Sequence, residues 1–189
     1  MGLPGALRNV PRDSKRRAAN DSSIVATHRQ PSSWNSFAWL ITLAVAAIAL
    51  RVALGHDVGY PTDMVHYIEW ADAGAQHPLG EMYSRTSPNY PPGYVSVLWL
   101  LGKMRSAFPV LTRPDLRYLF MKVPAILADV VTGGLIYLIV ARNLGSSTAL
   151  WAAAIYLFNP AVISDSTSWG QTDGLVPVFP LMSVAEQDT

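Results

Sequence analysis

Three carboxylates and one imidazole recur at intervals of three residues within one short stretch of the chain. They are Asp63, His66, Glu69 and Asp72, in Thr62-Asp-Met-Val-His-Tyr-Ile-Glu-Trp-Ala-Asp72. A carboxylate held in place can accept the proton of a hydroxyl nucleophile, which is general base catalysis. The same residue types can ligate a divalent metal, and they are also common on solvated helix faces. The stretch therefore offers a general base, with a metal site and a solvated surface as the alternatives.

The apolar residues of the same stretch recur with the period of a helix, at i, i+3, i+4 and i+7. They are Met64, Tyr67, Ile68 and Ala71. This pattern predicts an amphipathic helix over residues 63–74. We expect Thr62 or Asp63 to cap its first turn and Gly74 to end it. Glu69 falls away from the apolar stripe, so the pattern places it on a solvated face.

Two further carboxylates lie in or beside apolar segments. A charge such as Asp129, inside one of these segments, costs about 2.5–3.5 kcal/mol at the centre of a membrane helix on insertion scales. Asp129 must therefore face protein or water, in a structural or a functional role. Asp173 ends Ser168-Trp-Gly-Gln-Thr-Asp173, downstream of Asn159-Pro160. It is either a helix cap or part of a cavity, since irregular backbone at a membrane mainly lines cavities or is buried in protein.

Apolar segments dominate the remainder of the chain. Charged residues make up 14% of the 189 residues, against about 25% in typical soluble proteins. Without cysteine, a disulfide-stapled fold is excluded, and the 50% hydrophobic content excludes a disordered chain. The sequence predicts an all-α, polytopic membrane protein. Its expected spans are 37–55, 123–141 and 148–163, followed by a partial span over 175–185, and the first is close to the ~20 residues that a bilayer requires.

The uneven distribution of charge predicts an orientation. Residues 1–36 carry six Lys or Arg against two acids, and residues 56–90 carry five acids against one base. Basic flanks stay in the cytoplasm, so residues 1–36 are expected to form a disordered cytoplasmic tail. This tail has no apolar core of a signal peptide and no aromatic interleaving, so no nucleic-acid partner is predicted. Arg51, near the outer end of the first span, is expected to reach the membrane interface by snorkelling.

The apolar run Tyr94–Gly102 determines where the later loops lie. With about nine residues it is short for a span, which favours an interfacial or re-entrant position. If it lies flat, residues 56–121 form one external loop and residues 164–173 face the same side. If it spans, the two loops lie on opposite sides. The bases Lys103 and Arg105 favour spanning, but charge bias is weak in a long loop, and the pattern slightly favours the flat arrangement.

Five segments in order carry a resemblance to a known family. They are Thr62-Asp-Met-Val-His-Tyr-Ile-Glu-Trp-Ala71, Glu81-Met-Tyr83, Asn89-Tyr-Pro-Pro-Gly-Tyr94, Lys122-Val-Pro-Ala-Ile-Leu-Ala-Asp129, and Phe158-Asn-Pro-Ala-Val-Ile163 with Trp169-Gly-Gln-Thr-Asp173. Over residues 37–175 the chain resembles the GT-C glycosyltransferases, most closely the bacterial relatives of the second mannosyltransferase of GPI-anchor synthesis. The resemblance implies an inner-membrane protein with amphipathic juxtamembrane helices in its first external loop, and it favours the flat arrangement. Members have many more spans, so we expect an N-terminal fragment that is inactive alone.

The resemblance also implies roles for individual residues. Asp63 falls on the catalytic carboxylate of the family, and Asp173 falls on its second acidic motif. The residues assigned to substrate binding are Asp173, Trp169, Gln171, Tyr90 and Lys122. The implied reaction moves a sugar, with inversion, from a polyprenyl phosphate to an acceptor hydroxyl at the extracytoplasmic face; the sequence does not identify the acceptor. A cation such as Lys122 or Arg117 would stabilise the departing phosphate. No cofactor is implied, and a divalent metal stays an alternative.

A different class of function is a non-enzymatic membrane protein, either a transporter fragment or an assembly subunit. Transporters favour inverted repeats and paired broken helices. This sequence has one helix broken by proline, at Asn159-Pro160, and no internal repeat. The pattern therefore argues mildly against a transporter.

Overall fold

The computed structural model describes residues 33–187, which form helices and turns and, within that range, no strand. The predicted all-α fold is confirmed for this part of the chain. The helices in chain order are α1 (Ser33–Leu54), α2 (Pro61–Gln76), α3 (Met82–Thr86), α4 (Pro92–Ala107), α5 (Arg117–Leu144), α6 (Ser146–Leu157), α7 (Pro160–Ser164) and α8 (Val178–Gln187). The predicted tail lies outside the described residues up to residue 32. Its last four residues instead belong to α1, since the helix begins at Ser33.

Two of these helices are long and apolar enough to cross a membrane. They are α1, over Asn35–Leu54 with a mean hydropathy of 2.2, and α5, with a mean hydropathy of 2.1. A third candidate is a bent pair, α6 with Pro160–Trp169, whose two parts meet at 44°. Helix α4 has 16 residues and is shorter than a span requires. The protein is therefore suited to a membrane, with α1 and α5 as its clearest crossing elements.

The bend lies at Asn159-Pro160, which restarts a helix rather than ending one. The Asn159 side chain accepts a hydrogen bond from the Ala161 N–H at 2.9 Å, and Pro160 occupies the first helical position. Both features stabilise a new N-terminus. The helix then widens into a π-type turn over Asp165–Trp169. The predicted span over 148–163 therefore corresponds to two helical segments, because these two residues cap the second one.

Arg51 and Asp129 form a buried ion pair between α1 and α5. The Arg51 Nε lies 3.1 Å from the Asp129 Oδ2, and the two side chains are 0% and 2% exposed. Arg51 Nη1 also donates to the Leu157 carbonyl at 2.9 Å, one of the carbonyls that the end of α6 leaves without a helical partner. The expectation that Arg51 snorkels to the interface is wrong, because its partners lie inside the bundle. Asp129 faces protein, through its ion pair with Arg51.

Helices α2 and α4 pack side by side and run in the same direction. The Tyr67 and Tyr94 rings, in the N-terminal halves of the two helices, lie 5.3 Å apart. Arg105 and Asp72, in the C-terminal halves, pair at 2.9 Å. Lys103 Nζ donates to the carbonyl of Ala75 at 3.0 Å. Lys103 and Arg105, the bases that favoured a cytoplasmic position, thus bind residues of α2.

The ends of α2 differ from the prediction. The helix runs from Pro61 to Gln76, its N-cap is Tyr60, and no side chain caps it. Thr62 and Asp63 are therefore inside the first turn instead of preceding it, because Pro61 already fixes a helical start. Gly74 does not end the helix; it is buried against Trp99 of α4.

The connection between α2 and α4 must run back along the pair, because both helices point the same way. It contains α3, whose Met82 is fully buried in the core formed with α2 and α4. Near the end of the connection lies Tyr90, whose hydroxyl is 2.7 Å from that of Tyr67. Residues 77–91 therefore form a wall beside the N-terminal half of α2.

Candidate functional site

A cleft of about 530 Å³ opens between the N-terminal half of α2 and this returning wall. Most of its lining side chains are polar. They are Thr62, Asp63, His66, Tyr67, Glu69 and Trp70 from α2, and Thr86, Ser87, Asn89 and Tyr90 from the wall. We call this space the Asp63 cleft. It contains the predicted base and one of the predicted binding residues, Tyr90.

Asp63 is held in place from two sides. It lies in the first turn of α2, where the helix dipole stabilises a carboxylate. Its Oδ2 accepts a hydrogen bond from the Gln171 side chain at 2.9 Å, although the two residues are 108 positions apart. The Tyr60 N–H also donates to the Trp169 carbonyl at 2.9 Å. The loop after the bent pair therefore docks on the start of α2, and residues 63 and 171 lie at the same end of the bundle.

Gly170 makes this docking possible. Its φ of +78° lies in the left-handed region, which residues with a Cβ rarely adopt. A Cβ at this position would lie 2.9 Å from Met64 Cε and 3.2 Å from Lys122 Cε. Glycine therefore lets the loop pass between α2 and α5, and this sets the position of the neighbouring Gln171.

An aromatic cluster forms the floor of the cleft. Tyr67, Trp70, Tyr90 and Tyr94 contact one another, with ring centroids 5.3–6.1 Å apart. Burial raises the pKa of Tyr67 well above its usual value, and the hydrogen bond between the Tyr67 and Tyr90 hydroxyls raises it further. Burial likewise raises the pKa of Tyr94. Both phenols stay protonated, so neither is a general base, and proton acceptance falls to Asp63, His66 or Glu69.

Lys122 is buried beneath the site and does not line the cleft. Its side chain is 1% exposed, and its Nζ donates to the carbonyls of Gly55 at 3.1 Å and Asp57 at 2.6 Å. It thus binds the chain just after the end of α1, where carbonyls lack helical partners. This placement favours a structural role over the predicted contact with a phosphate. Arg117 is also engaged, with the Tyr118 hydroxyl and ring.

Asp173 opens into a different cavity, of about 410 Å³, beside Asp129 and Asp165. It lies in the turn Asp173–Leu175, ahead of α8, and does not cap that helix. Trp169 is half exposed and lines a third space with Tyr60. Of the predicted residues, the structure brings Asp63, Tyr90 and Gln171 together. Trp169 adjoins them through its backbone, and Asp173 lies apart.

A metal site on α2 is not formed. Within residues 33–187, no group of three or more His, Cys, Asp or Glu side chains is placed to hold a metal ion. Asp72 instead pairs with Arg105. The carboxylates of α2 therefore have different partners: Asp63 binds Gln171, and Asp72 binds Arg105.

Sequence reasoning missed part of the lining. Glu69, which was assigned a purely solvated face, is exposed but lines the Asp63 cleft together with His66. The spacing of Asp63, His66 and Trp70 at i, i+3 and i+7 was a usable signal for one helix face. Residues 86–89 of the wall carry no periodic pattern, so their position could not be read from the sequence.

Searches of protein-family models, of curated proteins and of solved structures each found no match to this chain. The Asp63 cleft and the groups that line it are therefore the main indication of function.

Proposed function

We propose that the protein takes part in membrane glycosyl transfer, moving a sugar, in particular mannose, from a polyprenyl phosphate to an acceptor hydroxyl. The observation that carries the proposal is the placement of Asp63. Its carboxylate is fixed by the first turn of α2 and by Gln171, and it faces an open cleft lined by hydroxyl, amide and carboxylate groups. The resemblance of the sequence to GT-C glycosyltransferases points to the same residue.

The chemistry of the transfer suits one well-placed base. A hydroxyl is a weak nucleophile, and a carboxylate that accepts its proton in the transition state lowers the barrier. The bond between the sugar and its phosphate breaks with the electron pair leaving on phosphate, so the leaving group needs no proton. The acceptor proton goes to Asp63, and the sugar carbon inverts. Fixing the carboxylate beforehand avoids the entropy of aligning it with the acceptor.

The position of the cleft suits a lipid-linked donor. Asp63 follows α1 by a short connection, and the Gln171 loop follows the bent hydrophobic pair. A donor with a polyprenyl chain would keep that chain in the membrane and present its sugar at the ends of these helices.

The test is a substitution in the chromosomal copy of the gene. With Asp63→Asn, we expect mannose transfer from polyprenyl-phosphate mannose to endogenous acceptors in isolated membranes to fall about 10²–10⁴-fold, the usual contribution of a general base. Protein abundance should change little, because asparagine keeps the size of the side chain and can still accept the hydrogen bond from Gln171.

Asp115→Asn is the matched control. It also removes one carboxylate, from an exposed ion pair with Arg113, and transfer should stay at the wild-type level. Near-wild-type transfer by Asp63→Asn would mean that Asp63 stabilises the N-terminus of α2 and is not a catalytic base. If wild-type membranes transfer no more sugar than membranes from a deletion strain, the glycosyltransferase proposal is wrong.

One observation favours a non-enzymatic transport function as the second candidate. Arg51 is fully buried between hydrophobic helices, and its Nη2 has no hydrogen-bond partner among the described residues. Charged groups inside membrane helices often mark ion or substrate pathways, and the bent α6–α7 pair resembles the broken helices of transporters. Solute uptake that depends on Arg51, without any sugar transfer, would support this alternative.

A further inference from the structure

The Asp63 cleft has a one-sided distribution of charge. Asp63 and Glu69 both line it, and no lysine or arginine is among its lining residues in the described part of the chain. The nearby bases are engaged elsewhere. Arg85, next to Thr86 in the wall, pairs with Glu81 at 3.1 Å. Arg105 binds Asp72, Lys103 binds the Ala75 carbonyl, and Lys122 binds the carbonyls of Gly55 and Asp57. A phosphate or carboxylate entering the cleft would meet two like charges and no counter-charge.

The two carboxylates are too far apart to hold one small cation. Six residues of helix separate Asp63 from Glu69, which corresponds to about 9 Å along the axis and about 120° around it. The hydroxyl, imidazole and amide groups of the lining lie between and opposite them. A ligand that contacts both ends must therefore be extended and must offer several hydrogen-bonding groups.

The aromatic floor does not form a cage for an organic cation. Such cages present open ring faces to the ligand. Here Trp70 is 7% exposed and Tyr67 is 1% exposed. His66 stacks on Trp70 with ring centroids 5.7 Å apart. Tyr90 packs edge-on against Tyr67 and against Trp70. Hydrogen bonding, rather than stacking or cation–π attraction, is thus the chemistry that the cleft offers.

We propose that the Asp63 cleft binds an uncharged, hydroxyl-rich acceptor of about the size of one sugar ring, and that Glu69 is a specificity residue that rejects anionic acceptors. The proposal rests on the proposed function and assigns the cleft to the acceptor. The phosphate of the lipid-linked donor must then bind outside it. Glu69 accepts hydrogen bonds from acceptor hydroxyls at the end of the cleft opposite Asp63.

The experiment measures binding without any donor, so it does not depend on turnover. The full chain in lipid nanodiscs is titrated with methyl α-mannoside, mannose 6-phosphate and mannosamine, and saturation-transfer NMR reports binding. We expect the uncharged glycoside to bind at least about tenfold more tightly than the phosphate, since like charges meet in the cleft. Mannosamine should bind more tightly than the glycoside by about threefold at most, because its single ammonium meets the same field with opposite sign and carries about half the charge of the phosphate.

Substitution of Glu69 gives the diagnostic result. Glu69→Gln keeps the shape and the hydrogen bonding but removes one charge, so the preference for the uncharged glycoside over the phosphate should shrink to about threefold or less. Asp115→Asn, which makes the same charge change outside the cleft, should leave the preference at its wild-type value. A purely structural role of Glu69 would not change the ratio between two ligands in this direction.

Other outcomes separate this inference from the proposed function. Equal binding of the glycoside and its phosphate by the wild type would overturn the inference, even if the membranes transfer sugar. Binding of mannosamine at least about tenfold more tightly than the glycoside, lost in Glu69→Gln, would also overturn it in favour of a cation site. Selective binding of the glycoside in a protein whose membranes transfer no sugar would support the inference and refute the glycosyltransferase proposal.

Discussion

Arg51 connects three separate parts of the bundle through one guanidinium group. It pairs with Asp129 of α5, donates to the last carbonyl of α6 and lies 3.3 Å from the Ser166 hydroxyl in the π-type turn. Its neighbours in sequence are apolar, and its closest acidic partner is 78 positions away. Local sequence therefore supports snorkelling, and only tertiary packing determines that the side chain turns inward.

Removing one member of this pair should harm the protein more than removing both. Arg51→Met leaves the Asp129 carboxylate buried without a partner, and breaking a buried ion pair from one side costs about 3–5 kcal/mol. The double variant Arg51→Met with Asp129→Leu should recover much of that loss, because no uncompensated charge remains. Melting temperatures of the purified proteins in detergent measure both effects. A double variant as unstable as the sum of its two single variants would argue against the pairing.

At the scale of elements, the backbones of α2 and α4 are in direct contact. A Cβ added to Gly102 would lie 1.9 Å from the Ala71 carbonyl oxygen, which is backbone and cannot rotate away. The absence of a side chain therefore lets the two helices touch along their length. Their contact supports both the aromatic floor and the wall of the Asp63 cleft.

Gly102→Ala should separate the two helices and destabilise the protein by about 1–3 kcal/mol or more, as overpacking does. Gly93→Ala is the control on the same helix, since a Cβ there meets nothing within 4 Å and alanine favours the helix. We expect a lower melting temperature and faster proteolysis within residues 77–91 for Gly102→Ala alone. If Gly102→Ala behaves like Gly93→Ala, the tight helix contact is wrong.

Periodicity and turn chemistry account for the elements that the sequence could predict. The stripe beginning at Met64 predicts α2, and Pro91-Pro92-Gly93 predicts a turn entering α4. The parallel packing of α2 and α4 is a different kind of property, because it depends on Gly102 meeting Ala71 across the fold. The same limit applies to the cleft: Asp63 is recognisable in the sequence, whereas its contact with Gln171 spans 108 residues.

At the scale of the whole molecule, the described contacts constrain the topology. Lys122, near the start of α5, binds carbonyls that follow the end of α1, so the segment between these helices begins and ends at one side of the bundle. The Gln171 loop meets Asp63 at the same end. This agrees with the arrangement in which α4 does not cross the membrane.

Cysteine labelling tests this topology directly, because the sequence contains no native cysteine. We expect Thr62→Cys and Asp173→Cys, both at exposed positions, to react with an impermeant thiol reagent applied to intact cells. Asn143→Cys, exposed near the far end of α5, should react only after lysis. Labelling of Thr62→Cys and Asp173→Cys from opposite sides would contradict the structure.

The sequence separation of Arg51 and Asp129 also has a consequence for biosynthesis. Chains grow at about 5–20 residues per second, so 78 residues correspond to about 4–16 s during which Arg51 lacks its acidic partner. In that interval α1 holds an uncompensated charge, which a long side chain relieves by reaching the headgroups. We therefore expect the Arg51 side chain to snorkel in the nascent chain and to pair with Asp129 in the finished protein. Helix α1 thus enters the membrane because of its hydrophobicity, and it reaches its final packing only when α5 arrives.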